Sequence, residues 1–307
     1  MEINRLRYVG FLIISLFVAP FAGATTYSLP SEGSGLIGQV QYISAYSNET
    51  TVSVAQRYNL GLNSIIDANP GLTERSAISG GSVTIPTAFI LPPLPHKGIV
   101  INLPEMRMYY YPAGENVVMT FPIGIGRIGK TIPVTMTAIV RKVVNPTWTP
   151  PDDIREFNQK QGIELPDAMG PGPDNPLGPY AIYLRVPTYL IHSTIFPESI
   201  GRRASFGCIR MNETDIKQFF PLVTAGTPVA IIDMPAKVAW DGEHLLLQAY
   251  PPLEERRNLP QAKLDSVVQL VQHNLTQNEH VFVNWQLVAY LTEQPDGIPH
   301  EIGFRMR

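Results

Sequence analysis

The sequence has only one cysteine, Cys208, among its 307 residues. An intramolecular disulfide is therefore excluded, and each folded unit must be held by its own apolar core. A lone cysteine with a histidine elsewhere in the chain is the pattern of a catalytic nucleophile and its base. Free cysteine is also among the residue types most often buried in cores, so simple packing is the alternative.

The chain also lacks a strong excess of charge, with 23 Lys and Arg against 26 Asp and Glu and a formal net charge of −3. Nothing in this balance directs the protein to nucleic acid or to an anionic membrane surface. The histidines outside the motif described below lack metal-ligand spacing, and no carboxylate cluster suggests a bound cation. We therefore predict a site without metal or other cofactor. These histidines are His96, His244, His273, His280 and His300.

Long hydrophobic runs are absent after the N-terminal region. There, Arg5 and Arg7 precede an apolar run at 8–21 that ends in Ala22-Gly23-Ala24. This pattern predicts a Sec-type signal peptide over residues 1–24, cleaved near Ala24, although an uncleaved anchor stays open. We therefore expect export to the periplasm. The residue directly after the cleavage position is not a cysteine, so a lipidated N-terminus is not expected.

The chemistry-bearing residues lie in two segments, Ile191-His192-Ser193-Thr194 and Ser205-Phe206-Gly207-Cys208-Ile209-Arg210. A thiol is only slightly ionised at neutral pH, but an imidazole in contact can take its proton, hold the thiolate as an ion pair and later return the proton. Glycine lets the chain turn tightly beside the sulfur, so main-chain N–H groups at Gly207 are expected to face a developing oxyanion. Ser193 and Ser205 are expected to orient this site. Asn212 is expected to cap a helix that fixes the cysteine loop.

These two segments resemble the signature of the bacterial L,D-transpeptidases with a YkuD-type catalytic domain, in which a histidine and a cysteine recur at this separation. Asn145-Pro146-Thr147-Trp148-Thr149-Pro150 and residues 171–180 extend the resemblance to the ErfK/YbiS-like subgroup. The resemblance implies that Cys208 attacks a carbonyl of a peptidoglycan tetrapeptide stem, releases D-alanine and passes the acyl group to an amine. It implies that His192 is the proton donor and acceptor.

The resemblance leaves two acceptors open. One is the C-terminal lysine amine of a Braun-type outer-membrane lipoprotein, and the other is a neighbouring diaminopimelate, which gives a 3→3 cross-link.

One position departs from the family pattern, because Phe206 stands where the family usually has a second histidine. Phenylalanine neither donates, accepts nor titrates. If the usual histidine only shapes the loop, activity is kept; if it carries protons, the enzyme is slow or altered in its choice of acceptor. The alternatives are a peptidoglycan-binding protein with impaired catalysis and an L,D-carboxypeptidase.

Residues 145–179 hold eight prolines, which exclude a continuous helix or a central strand. A long ordered loop usually carries function. We therefore predict a lid over the thiol, with a short helix at 154–161 and with Trp148 and Tyr180 as walls of a groove.

Three arginines flank the cysteine, and a guanidinium binds a carboxylate through two parallel hydrogen bonds. At least one of them is expected to bind the carboxylates of the stem peptide. They are Arg202, Arg203 and Arg210.

Hydrophobic patterns divide the chain into three folded units. Residues 38–87 predict a small α+β unit of a strand, two helices and a strand, which resembles LysM, a peptidoglycan-binding module; an unspecialised cap is the alternative. Residues 88–96 predict a stiff Pro-rich linker. Residues 97–234 predict a mostly β catalytic domain, a sandwich or barrel. Residues 235–307 predict a small α+β domain that begins with a hairpin and docks against the catalytic domain.

Residues 124–131 fit the phosphate-loop expression G-x-x-x-x-G-K-[ST] and follow a predicted strand. Such a loop needs a helix that begins at the lysine and presents its N–H groups to phosphate. Pro133 and the β-branched residues beside it argue against that helix. We expect a turn between strands and no nucleotide.

Overall fold

The computed structural model of the chain describes residues 25–31, 33–78, 80–275 and 280–306. The predicted signal peptide, residues 1–24, lies outside the described residues. Across the described part of the chain, no helix is both long and apolar enough to cross a membrane.

The N-terminal unit consists of short strands and two helices. Its elements are β1 (Thr25–Ser28), β2 (Leu36–Gly38), β3 (Gln41–Ser44), α1 (Thr51–Arg57), α2 (Leu62–Asp67), β4 (Ser82–Ile85) and β5 (Ala88–Ile90). β3 and β4 pair antiparallel, which confirms the predicted strand, two helices and returning strand. α1 begins at a capping box, in which the Thr50 side chain accepts from Ser53 N–H and Ser53 Oγ accepts from Thr50 N–H.

The prediction of a Pro-rich linker at 88–96 is wrong in its first part. β5 pairs antiparallel with β2, and Ile90 is fully buried. The Gln248 side chain accepts from Ile90 N–H at 2.8 Å and donates to Ala88 O at 3.0 Å. The prolines begin only at Pro92, so the preceding residues keep the N–H groups that a strand needs.

The central unit is built mainly from strands. Its elements are β6 (Gly98–Asn102), β7 (Arg107–Tyr111), β8 (Val117–Gly126), β9 (Thr135–Val144), α3 (Asp152–Gln159), β10 (Tyr180–Leu184), β11 (Leu190–Ser193), β12 (Arg203–Ser205), β13 (Ile209–Met211), α4 (Glu213–Phe219) and β14 (Pro228–Ile232). A ten-stranded sheet runs in the order β1-β8-β13-β11-β10-β9-β14-β6-β7, with β12 on β8. Because β7 also pairs with β8, the sheet closes on itself around the main apolar core. The predicted mostly β fold is confirmed.

The C-terminal unit is a second, smaller sheet covered by two helices. Its elements are β15 (Ala236–Asp241), β16 (His244–Ala249), α5 (Leu264–His273), β17 (Val281–Val283), α6 (Trp285–Glu293) and β18 (Pro299–Arg305). The predicted hairpin is β15–β16, and Gly242 takes the positive φ of its turn, +59°.

A buried ion pair joins the central and C-terminal units. Lys237 Nζ lies 2.8 Å from Glu105 Oε2, and neither side chain is more than 1% exposed. The Tyr109 and Tyr250 hydroxyls also donate to Glu105. Removing one partner of such a pair costs about 3–5 kcal/mol, because the other charge is left buried. The C-terminal unit is thus fixed against the central one, as predicted.

The N-terminal unit contacts the loop before Cys208 through its backbone. Leu62 N–H donates to Ile200 O at 3.2 Å, and Asn63 N–H donates to Gly201 O at 3.4 Å. A Cβ on Gly201 would lie 2.2 Å from Gly61 Cα. The two backbones approach this closely only because both positions are glycine.

Asp215 on α4 is buried at the same junction. Its Oδ1 accepts from Asn59 Nδ2 at 3.1 Å, and its Oδ2 accepts from Asn212 Nδ2 at 3.4 Å. Burial raises the pKa of this carboxyl to about 6, against the opposing effect of the two amides and of Arg107. Asn212 precedes α4 as predicted, but its side chain makes no capping hydrogen bond because its amide points to Asp215.

We predict that Asp215 makes stability fall as the pH rises through about 6. Its pKa is higher in the folded chain than in the unfolded chain, so the native state binds this proton more tightly and the stabilisation is present only in acid. The difference amounts to about 2 kcal/mol between pH 4 and pH 7. Asp215→Asn removes the ionisation and can still accept from Asn59. Urea unfolding at both pH values should show this decrease in the free energy of unfolding for the parent and not for Asp215→Asn. The same pH dependence in both proteins would contradict the prediction.

Candidate active site

The pairing of two strands brings the predicted catalytic residues to one face of the sheet. β11 and β13 are parallel, with Ile191 opposite Ile209 and His192 opposite Arg210. Both isoleucines are buried in the main core. Because side chains alternate along a strand, His192 and Arg210 share the opposite face. Cys208, directly before β13, packs against the apolar cluster that contains Ala181, and Ala181 lies opposite His192 on β10, so the thiol lies on this face too.

His192 is 4% exposed, and its Nδ1 lies 2.5 Å from the Ser193 carbonyl oxygen. Since a carbonyl only accepts, Nδ1 carries the proton and Nε2 keeps its lone pair as a base. Burial lowers the pKa of the ring to about 4, and the charge of Arg210 acts in the same direction. The imidazole is therefore neutral at neutral pH and can accept a proton.

Cys208 is half-buried, and its Sγ lies 3.9 Å from Thr188 O. Burial raises the pKa of the thiol, and the charge of Asp153 adds to the rise, while the Leu190 N–H and the Arg210 guanidinium oppose it. Low-polarity surroundings favour the uncharged forms of both the thiol and the imidazole. Both groups are therefore uncharged at neutral pH in the structure described, where the sequence predicted an ion pair.

Within the described residues, the expected hydrogen bond between Cys208 and the His192 ring is not formed, because the thiol points to the Thr188 carbonyl. Contacts of catalytic groups are often long before substrate binds. The shared face is thus established, and the roles of nucleophile and base stay predictions.

Ser205 fixes the turn around Cys208. Its Oγ donates to Cys208 O at 2.6 Å and accepts from Gly207 N–H at 3.1 Å. The Gly207 N–H is therefore used inside the loop and does not face an oxyanion as predicted. Glycine is nevertheless required, since φ is +119° and a Cβ would lie 2.7 Å from the Tyr189 ring and 3.0 Å from Lys130 O.

Ser193 ties the end of the long loop to the histidine strand. Its Oγ donates to Leu177 O at 3.0 Å and accepts from Tyr180 N–H at 3.0 Å. The Ser193 carbonyl accepts from the His192 ring, so its backbone orients the histidine. Its side chain orients the end of the long loop.

Arg203 belongs to the scaffold and not, as predicted, to the substrate site. Its guanidinium makes two parallel hydrogen bonds of 2.7 Å to the Glu255 carboxylate and donates to Thr131 Oγ1 at 3.0 Å. These bonds from Arg203 lower the pKa of Glu255 to about 2. Glu255 is 52 residues away in sequence, so no local pattern could have revealed the pair.

The other two arginines differ in the partners of their guanidinium groups. Arg202 pairs with Glu74 of the N-terminal unit at 2.9 Å, at a partly exposed position. Arg210 lies on the face of the thiol, and its buried Nε has no hydrogen-bond partner among the described residues. A buried donor without a partner is costly, which distinguishes Arg210 from the two paired arginines.

Trp148 and Cys208 pack against the same apolar cluster, and the role of Trp148 as a groove wall stays a prediction. Both side chains, together with Tyr183, border a small apolar cluster. This cluster consists of Leu177, Ala181 and Leu190.

Tyr180 does not form the opposite wall. Its ring lies on the other side of β10, with its centroid 5.1 Å from that of Phe220. Strand alternation places Tyr183 on the side of the thiol instead. The sequence shows that Tyr180 and Tyr183 face opposite sides of β10. Only the pairing of β10 with its neighbouring strands shows which of the two faces the thiol.

The short helix predicted at 154–161 is α3, which begins two residues earlier, at Asp152. Asp152 and Asp153 in its first turn favour this start, because they face the positive end of the helix dipole. Lys130 Nζ lies 2.6 Å from Asp153 Oδ2. Lys130 itself lies in the segment that fits the phosphate-loop expression, and this segment forms a turn and no helix, as predicted.

Metal-binding side chains do not gather in the part of the chain that the structure describes. No three or more His, Cys, Asp or Glu residues there are arranged to hold an ion.

We predict that Gly207→Ala displaces the cysteine loop. Alanine adds the strain of a positive φ and a clash with Tyr189. Gly129→Ala is the matched control, because φ is +77° there but the space beside it is open. Urea unfolding should show a loss of about 1 kcal/mol for the control and about 2 kcal/mol more for Gly207→Ala. Equal losses would contradict a closely packed turn.

Comparison with known proteins gives several matches. Residues 96–231 match the profile of the YkuD L,D-transpeptidase catalytic domain. The "Probable L,D-transpeptidase ErfK/SrfK" of Salmonella typhimurium is 44% identical over 247 residues, which cover 79% of this chain and 79% of the relative. The Escherichia coli K12 protein of the same name is 41% identical over 278 residues, 89% of this chain and 87% of the relative. "Probable L,D-transpeptidase YbiS" of Escherichia coli K12 is 43% identical over 240 residues, 77% of this chain and 78% of the relative.

Proposed function

Because the chain belongs to the YkuD family of L,D-transpeptidases, we propose that it is exported to the periplasm and acts there on peptidoglycan stem peptides through an acyl-enzyme on Cys208. The observation that carries this proposal is the shared face of Cys208, His192 and Arg210, set by the pairing of β11 with β13. A thiol, a neutral imidazole and a guanidinium with a free donor supply a nucleophile, a base and a carboxylate ligand.

The first half-reaction forms a thioester. Nε2 of His192 accepts the thiol proton as sulfur attacks the carbonyl after the L-centre of the tetrapeptide stem. The tetrahedral intermediate collapses, the C–N bond to D-alanine breaks, and His192 gives the proton to the departing amine. Ser193 O stabilises the imidazolium that exists between these two transfers, because it accepts from Nδ1.

The second half-reaction regenerates the thiol. The acceptor amine attacks the thioester and loses a proton to Nε2, and the sulfur then leaves and recovers that proton. The acceptor is the lysine of a Braun-type lipoprotein or a diaminopimelate of a neighbouring stem. Hydrolysis by water in place of the amine gives the L,D-carboxypeptidase alternative.

We further propose that the N-terminal unit holds glycan, as its resemblance to LysM implies. Tyr42 and Tyr46 are 76% and 65% exposed, and large exposed aromatic side chains are typical of binding surfaces. The guanidinium of Arg57 lies 4.1 Å from the Tyr46 ring centroid and is fixed by Glu49 at 2.9 Å. The unit also contacts the loop before Cys208, so bound glycan would be kept near the thiol.

We predict that the mature protein, incubated with a disaccharide tetrapeptide, releases D-alanine and forms a cross-linked dimer. Cys208→Ala should abolish both products while it still unfolds cooperatively in urea. Chromatography with mass spectrometry separates the outcomes. A tripeptide without dimer would support the carboxypeptidase, and unchanged tetrapeptide with retention of the protein on peptidoglycan sacculi would support a binding protein.

We predict that Arg210 binds a stem carboxylate. Arg210→Ala should raise KM roughly 10- to 100-fold, the size expected for loss of a charge-assisted hydrogen bond, and Arg210→Lys should restore only part because lysine lacks the planar fork. A substrate in which the contacted carboxylate is amidated is the matched control. The amidated substrate should bind the parent protein more weakly than the normal substrate does, and Arg210→Ala should not weaken its binding further. If the two changes instead weaken binding independently, Arg210 does not contact that carboxylate.

A further inference from the structure

We propose that Phe206, Arg127 and Phe157 form a clasp that holds α3 closed over Cys208, so that release of this clasp controls access to the thiol. These three residues are called the lid clasp. The inference rests on the proposed function, because it takes Cys208 as the reacting group. The lid is the segment of residues 145–179, which includes α3.

The lid clasp is a stack of two rings and one guanidinium. The Phe157 and Phe206 ring centroids lie 5.3 Å apart, edge to face at 73°. The Arg127 guanidinium lies 3.5 Å from the Phe206 centroid and 4.1 Å from the Phe157 centroid. One cation thus contacts a ring on the cysteine loop and a ring on the lid at the same time, which is the geometry of paired cation–π contacts.

Arg127 is fixed on the side of the cysteine loop. Its N–H donates to Ser205 O at 2.9 Å, and its carbonyl accepts from Lys130 N–H at 2.9 Å. Phe206 follows Ser205 directly and precedes the required Gly207. The fixed half of the lid clasp therefore belongs to the same turn that holds the thiol, whereas Phe157 is carried by the lid.

α3 lies on the surface of the molecule. None of its residues is buried, and Phe157 itself is 39% exposed. The hydrogen bonds of Arg155 go to Pro150, Leu165 and Asp167, all within the lid. A helix without a buried face is not anchored by a core. Among the described residues, the lid clasp and the Lys130–Asp153 ion pair supply its aromatic, cation–π and ionic contacts with the cysteine side.

The helix held in this way lies beside the turn that carries the thiol, because Phe157 contacts Phe206, two residues before Cys208. The negative charge of Asp153 in the first turn of α3 also contributes to the raised pKa of Cys208. Aromatic, cation–π and partly exposed ion-pair contacts each change an equilibrium only about 2- to 10-fold. A cover closed by such contacts opens readily when a substrate competes for the same space.

Phenylalanine suits this role at position 206. Its ring offers a negative face to Arg127 and does not titrate. An imidazole in the same place would repel Arg127 when protonated. Phenylalanine at this position therefore gives a contact that does not depend on pH.

The test uses the fact that Cys208 is the only thiol of the chain. The rate of Cys208 alkylation by iodoacetamide is measured for the mature protein and for Phe206→Leu, Phe157→Leu and the double variant. Phe206→Tyr keeps the ring, and Phe282→Leu is a matched control, because Phe282 is an exposed aromatic stacked on Phe304 in the C-terminal unit. Trypsin cleavage after Lys160, at the end of α3, reports lid opening independently.

Phe157→Leu removes both contacts across the lid clasp and should be alkylated and cleaved about tenfold faster. Phe206→Leu keeps the Arg127–Phe157 contact and should show a smaller increase, and the double variant should be no faster than Phe157→Leu. Phe206→Tyr and Phe282→Leu should match the parent. Unchanged rates for Phe157→Leu, fully multiplicative effects in the double variant, or faster alkylation without faster cleavage would each overturn the proposal. Neither readout needs wall substrate, so a failure of the proposed function would appear separately, as normal gating without cross-linked product.

Discussion

The structure of the site depends on the parallel pairing of β11 with β13. Ile191 and Ile209 are drawn into the main core, and this burial fixes which way both strands face. A shift of one residue in either strand would turn His192 or Cys208 into the core and an isoleucine toward solvent. The apolar core therefore determines the geometry of the reacting groups, and no direct bond between thiol and imidazole is needed to bring them together.

The loop before Cys208 is held by three parts of the chain that are distant in sequence. Glu74 of the N-terminal unit pairs with Arg202, Glu255 of the C-terminal region pairs with Arg203, and Phe157 of α3 contacts Phe206. The residues around the nucleophile that resemble substrate ligands in sequence thus serve largely as attachment points. Arg210 on β13, two residues after the thiol, has no such ion pair among the described residues, and the proposed function assigns it to the substrate.

Much of the fold could be predicted from sequence, because alternating β-branched and aromatic residues marked the long strands and turn residues marked their ends. The histidine and cysteine of the site were also evident from residue type and spacing. The short strands β12 and β13 carried too few residues for a pattern. The facing of Tyr180, the pairing of Arg203 with Glu255 and the pairing of β5 with β2 depend on register or on contacts between remote segments, which no local pattern encodes.

The central claim is that the sulfur of Cys208 carries the acyl group. It is tested most directly by intact-mass and peptide mass spectrometry of the mature protein, quenched in acid within the first turnovers on a disaccharide tetrapeptide. The account predicts a mass increase equal to the disaccharide tripeptide acyl group, located on the peptide that contains Cys208. Cross-linked product formed without any such adduct, or with the adduct on another residue, would contradict it.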